Sequence, residues 1–296
     1  MIPVSRNSLG PTGRKLPPWL KRPLPSGEVF ERTEAIIRKL GLETICSSGN
    51  CPNRGLCWSR GAATVMILGK TCTRNCSFCS VAKGNPSTVD PTEPARVAKM
   101  AVLLNIDYLV ITSVTRDDLP DGGAAAFGLC AEAVRRARPD TTVELLTPDF
   151  ARCRNQAVEI LSGYLPFVFS HNIETVPQLY PMVRPGADYR RSLRLLAAAK
   201  GKFGGGITIK SSMMLGLGES DEQVEASLRD LRKAGCDGVT LGQYLKPSRN
   251  SVEVADYVHP DKFDYWGRKA TELGFSIVMS EPFARSSYRA AKLIRG

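Results

Sequence analysis

A partial (β/α)6 TIM-type barrel of the α/β class, extended at both ends, is predicted by two observations. Short apolar runs alternate with helical patterns from residue 63 onward, and residues of unusual chemistry recur just after those runs. The runs are ATVMIL (63–68), YLVIT (108–112), TVELL (142–146), PFVFS (166–170), GITIK (206–210) and GVTLG (238–242), with FSIVM (275–279) as a further strand. Between them EPARVAKMAVLL, AFGLCAEAVRRA, SLRLLAAAK and DEQVEASLRDLRKA carry apolar residues at helical spacing. Parallel strands need such crossovers, and six units in a row suit a barrel.

The reactive residues fall at one end of this design. A cysteine triplet follows the first strand, TSVTRDDLPDGG the second and TPDF the third. HNIET follows the fourth, SSMMLGLGE the fifth and QYLKPS the sixth. Barrel enzymes build their sites where parallel strands finish, so a cavity is expected there. The glycines of LGLGES are expected to let backbone approach a ligand at this mouth. Asp117 and Asp118 either shape the site or cap the following helix.

Residues 1–62 are an N-terminal extension, 63–280 the barrel and 281–296 a C-terminal segment. In the extension, Phe30, Ile36, Ile37 and Leu40 mark one helix. The leader before Glu28 is basic but rich in proline, which disfavours an amphipathic transit helix; a cytoplasmic protein is expected. No run of eighteen apolar residues occurs, so no membrane span is expected. The net charge of +11 favours a polyanionic partner, either nucleic acid or an acidic protein.

Six of the nine cysteines lie between residues 46 and 79, which points to metal in a reducing compartment. Cys72, Cys76 and Cys79 form C-x3-C-x2-C, three soft ligands with no fourth in the loop. Structural zinc would normally claim that fourth ligand. A four-iron cluster on three cysteines leaves one iron open. This spacing, with Phe78 before the last cysteine, resembles the radical S-adenosylmethionine superfamily. The resemblance implies that S-adenosylmethionine chelates the open iron and is cleaved to a 5′-deoxyadenosyl radical.

Cys46, Cys51 and Cys57 form the rarer C-x4-C-x5-C. Together with CPNRGLCW, MILGKTCTRNCSFC, ITSVTRDDLPDGGA, HNIETVP, VRPGADY, TLGQYLKPS and the final RSSY, the pair of triplets resembles the lipoyl synthase family. The likeness runs from Arg14 nearly to the C-terminus. It departs at ICSSGN and VEVADYV, sparing the cysteines. The family likeness implies two 4Fe-4S clusters, the first triplet holding an auxiliary cluster that donates sulfur. Its fourth ligand would be Ser287, with Ser286 as the alternative, since spacing alone does not decide.

The likeness further implies insertion of two sulfurs at C6 and C8 of an octanoyl chain on a lysine of a lipoyl domain. Such carriers are 2-oxoacid dehydrogenase E2 subunits and glycine cleavage H protein. A reductant such as ferredoxin or flavodoxin and an iron-sulfur carrier protein would serve the reaction, with neither membrane nor nucleic acid involved. Strand-end placement and likeness together assign Ser113, Asn172, Glu174 and Lys210 to the cofactor, Lys210 at its methionyl carboxylate. A tRNA methylthiotransferase is the competing enzyme, and zinc-dependent nucleic-acid binding the competing class. Cys130 and Cys236, on helical patterns, read as packing residues.

Overall fold

In the computed structural model, residues 16–22, 27–165 and 167–288 are described. The basic, proline-rich leader lies mostly outside them. Helix α1 (Glu28–Lys39) precedes strand β1 (Glu43–Thr44), and the short helices α2 (Ile45–Ser48) and α3 (Arg54–Trp58) complete the extension. Helix α1 buries Phe30, Thr33 and Ile37, and the Thr33 hydroxyl donates to the Trp58 carbonyl at 3.0 Å.

The barrel strands are β2 (Thr64–Ile67), β5 (Tyr108–Ser113), β6 (Thr142–Leu146), β7 (Val168–Ser170), β8 (Ile209–Leu215), β9 (Gly238–Gln243) and β10 (Ile277–Ser280). A separate ribbon, β3 (Thr71–Cys72) with β4 (Ala82–Lys83), clasps the two ends of the second cysteine loop. The helices are α4 (Glu93–Leu103), α5 (Ala124–Ala137), α6 (Arg154–Ser162), α7 (Tyr180–Val183), α8 (Tyr189–Phe203), α9 (Asp221–Lys233) and α10 (Pro260–Glu272).

The sheet runs β1-β2-β5-β6-β7-β8-β9-β10, with β1 antiparallel and every other pairing parallel. The α/β expectation holds, and FSIVM supplies the seventh parallel strand. Among the described residues β10 does not pair with β1, yet Met66 of β2 and the Gly242 backbone of β9 line one cavity, so the sheet is curled but open. The extension's Phe30, Ile37, Leu42, Cys46 and Trp58 share the barrel's apolar core. Burial of such residues is the main force holding this extension down, at roughly 1.5–3 kcal/mol for each large side chain.

Strand β8 differs from expectation. It begins at Ile209, not Gly206, and continues through Leu215. Lys210, Ser211 and Ser212 are polar but buried, so the sequence lacks the apolar signature of a strand there. LGLGES also departs from its expected place. Gly216 (φ +94°) lies against Asp256, whose carbonyl would stand 2.3 Å from an added Cβ. The Glu219 carboxylate accepts the N–H groups of Gly216 and Leu217. This loop borders a second cavity with Asp256 and His259, away from the cysteines.

Among the described residues, no helix is long and apolar enough to cross a membrane.

Candidate active site

The strand ends surround a cavity of about 300 Å³. Into it come Cys72, Cys76 and Cys79 from the loop after β2, and Cys51 from the extension. Ser113, Asn172 and Glu174 come from the ends of β5 and β7, and Ser286 and Ser287 from the C-terminal segment. Phe78 lines it too and packs against a small apolar cluster containing Tyr244.

The second cysteine loop is held by charge. Arg74 forks onto Asp117 (2.7 and 2.8 Å) and reaches Asp149 at 2.6 Å, while Arg191 binds the other Asp149 oxygen at 2.7 Å. Burial alone would raise Asp149; the Arg74 bonds overcome it and hold the carboxyl well below the usual range. Asp118 pairs with Arg116, and it is Asp121 that caps α5 through Gly123 and Ala125. Neither Asp117 nor Asp118 is therefore the cap. The N–H groups of Arg74 and Thr115 donate to Cys72 Sγ at 3.4 and 3.3 Å, fixing the sulfur beside the cavity.

Burial pushes Cys79 up to about 11, with its neighbours Cys76 and Cys72 adding to the effect. Burial and the Cys51 thiol raise Cys46 to about 11; burial, Cys46 and Cys51 raise Cys57 to about 12. Thiols held up chiefly by burial, and further by their neighbours, need a cationic centre to ionise. Among the described residues, no three Cys, His, Asp or Glu side chains are drawn together for a single metal ion. Three soft thiol side chains in each triplet are a donor set suited to iron-sulfur chemistry. Among the described residues, the Ser113 hydroxyl and Asn172 Oδ1 are buried beside the cavity without a protein partner, and so are fitted to a polar cofactor.

Lys210 is the exception among the expected cofactor residues. It does not line the cavity; its ammonium sits on Glu144 Oε2 at 2.7 Å and on the Ser286 carbonyl at 3.3 Å. The cause is the offset of β8, which puts Lys210 within the strand rather than at its end. His171 has a structural place: Nδ1 meets the Thr147 carbonyl, so that nitrogen carries the proton, and Nε2 accepts from Ser192. Lys246 is ion-paired with Glu253. Cys130 and Cys236 are fully buried in the core.

Two arginines of the site escaped the sequence reading. Arg184 donates to the carbonyls of Asn172 and Ile173 at 3.0 and 3.1 Å, bracing the strand end before Glu174. Arg285 lines the cavity, where burial lowers its affinity for its proton while Cys51 and Glu174 favour the charge. Their conspicuous neighbours, RPG and RSSY, were the available signals.

A parallel barrel with an open-mouthed cysteine triplet after its first strand defines a radical S-adenosylmethionine enzyme. Residues 66–242 match the Radical SAM superfamily. Solved structures agree at the level of fold. Methylornithine synthase superposes with a TM-score of 0.55 at 14% identity, covering 84% of this chain and 77% of its own. An FeFe-hydrogenase maturase from Carboxydothermus hydrogenoformans gives 0.57 at 16%, covering 84% and 65%.

Within that class the chain belongs to the lipoyl synthase family. It is 50% identical over 274 residues to the lipoyl synthase of Methylococcus capsulatus (strain ATCC 33009 / NCIMB 11132 / Bath), spanning 93% of this chain and 85% of that one. The tRNA methylthiotransferase alternative is not favoured.

Proposed function

We propose that the chain inserts two sulfur atoms, at C6 and C8, into an octanoyl group carried on a lysine of a lipoyl domain, and that an auxiliary cluster on Cys46, Cys51, Cys57 and Ser287 is the sulfur substrate. The observation that carries this reading is convergence: Cys51, the second cysteine triplet and the Ser286–Ser287 pair border one cavity. Cys72, Cys76 and Cys79 would hold a 4Fe-4S cluster with S-adenosylmethionine, which would supply radical chemistry for unactivated methylenes that no side-chain base could deprotonate.

The chain's own residues bind and orient. Ser113 and Asn172 offer buried polar atoms to the cofactor, and Glu174 offers a carboxylate that its N–H partner Asn172 steadies at 3.1 Å. Met66, Val114, Leu146 and Met213 give the cavity the apolar walls that an octanoyl chain needs. Ser287 is favoured over Ser286 as the ligand because Asn172 Nδ2 already donates to Ser286 Oγ at 3.3 Å, and Lys210 holds the Ser286 carbonyl.

The excess of basic residues suits the acidic surfaces of E2 and H-protein lipoyl domains. A low-potential donor such as ferredoxin or flavodoxin and an iron-sulfur carrier complete the cycle, in a reducing cytoplasm that suits nine free cysteines. Reconstitution with heavy-isotope sulfide tests the source of sulfur. The product should carry the heavy isotope when the first triplet is loaded; a light product under those conditions overturns the reading.

A further inference from the structure

Four polar side chains from four neighbouring strands meet inside the barrel: Tyr108 on β5, Glu144 on β6, Ser170 on β7 and Lys210 on β8. Glu144 Oε1 accepts the Ser170 hydroxyl at 2.6 Å; Oε2 accepts Tyr108 at 2.5 Å and Lys210 at 2.7 Å. The Glu144 and Lys210 side chains are 0% and 2% exposed. Two apolar residues would fill the same space with little loss of stability, since a buried ion pair is expensive to desolvate. What apolar residues would lack is a donor for the Ser286 carbonyl, which Lys210 reaches at 3.3 Å.

The segment that Lys210 touches is otherwise gripped upstream. Gln243 donates its N–H to Pro282, Glu281 donates to Leu241, and Ala284 crosses so close to Gly242 that a Cβ there would meet the Ala284 carbonyl at 2.0 Å. Beyond Ala284, the grips from the barrel include the Lys210 bond to the Ser286 carbonyl and the Asn172 bond to the Ser286 hydroxyl. Both converge on the residue just before Ser287.

We propose that Lys210, oriented by Glu144, is a positioning residue that fixes the Ser286 peptide and thereby sets the Ser287 hydroxyl toward the Cys46–Cys51–Cys57 triplet. The inference rests on the reading of Ser287 as the ligand of that triplet. It assigns Lys210 to the sulfur-donating half of the site and not to S-adenosylmethionine.

The test uses the full chain. The double variant Glu144→Gln/Lys210→Met removes both charges, so neither is left buried alone, and Lys210→Arg keeps a donor. Amide exchange is followed in the metal-free protein at Ala284 and Tyr288, whose N–H groups bond to Glu281 and Arg285. Loss of a charged hydrogen bond should speed exchange there by about tenfold in the double variant, leave β9 amides unchanged, and be partly reversed with Lys210→Arg. In loaded protein, sulfur inserted per 5′-deoxyadenosine should fall while the KM for S-adenosylmethionine stays within about twofold.

Unchanged exchange at Ala284 and Tyr288 overturns the proposal. So does a KM raised by about tenfold with exchange unaltered, which would return Lys210 to the cofactor carboxylate. If the double variant does not fold, Glu144→Gln alone decides, since a loosened Lys210 should still accelerate exchange at the same two amides. Ser287→Ala separates the two readings. Full sulfur insertion by that variant defeats the ligand assignment, while the exchange data still judge the clamp.

Discussion

Asn53 donates its side-chain amide to the carbonyl of Phe283 at 2.7 Å, a buried bond between positions 230 residues apart. Asn53 stands between Cys51 and Cys57, and Phe283 lies four residues before Ser287. One hydrogen bond thus ties the two ends of the chain together beside the first triplet. The Arg22 guanidinium, 3.9 Å over the Phe283 ring, adds a second tie. Asn53→Ala strands a buried carbonyl and should lower unfolding free energy by about 1–3 kcal/mol in urea titration of the metal-free chain. An unchanged midpoint would mean that the two ends are held by other contacts.

The two triplets should be separable by mutation. Cys72→Ala should abolish 5′-deoxyadenosine formation and remove about four irons per chain. Cys46→Ala should lose a similar amount of iron, keep forming 5′-deoxyadenosine, and insert no sulfur. Iron analysis beside nucleoside chromatography distinguishes them. Equal loss of the nucleoside in both would show that the triplets do not have separate tasks.

His171 gives the fold an acid-side weakness. Burial, helped by the Arg184 charge, lowers its pKa from 6.5 to about 4. Between those values the unfolded chain takes up a proton that the folded chain refuses, so stability falls as pH drops from about 6.5 towards 4. The loss amounts to about 3 kcal/mol at most. His171→Gln should flatten that slope in melts of the metal-free protein across this range; an identical slope would remove His171 as its cause.

The strands were legible because their apolar runs are plain: TVELL matches β6 at both ends, and GVTLG lies inside β9. The central charge of TVELL was no obstacle, since Glu144 is paired within the barrel. The cysteine triplets were legible from spacing. Lys210 was not, because its strand continues through Ser211 and Ser212, buried polar residues that read as loop. Asn53, Arg184 and Arg285 act through backbone carbonyls or through neighbours distant in sequence, and local pattern does not reveal such contacts.

The basic surface should make carrier binding salt-sensitive. Raising ionic strength from 50 to 300 mM shortens the screening length to about 6 Å and should weaken the apparent affinity for an acidic lipoyl domain severalfold. A short octanoyl-lysine peptide of neutral charge should show little change. Titration calorimetry on both substrates checks this, and a carrier affinity independent of salt would remove the electrostatic account.

The central claim is tested most directly by anaerobic incubation of the reconstituted protein with an octanoyl-lysine peptide, S-adenosylmethionine and a reductant, read by mass spectrometry. The account predicts a peptide bearing two added sulfurs, with two 5′-deoxyadenosines formed for each. Accumulation of 5′-deoxyadenosine with no sulfur in the peptide would contradict it.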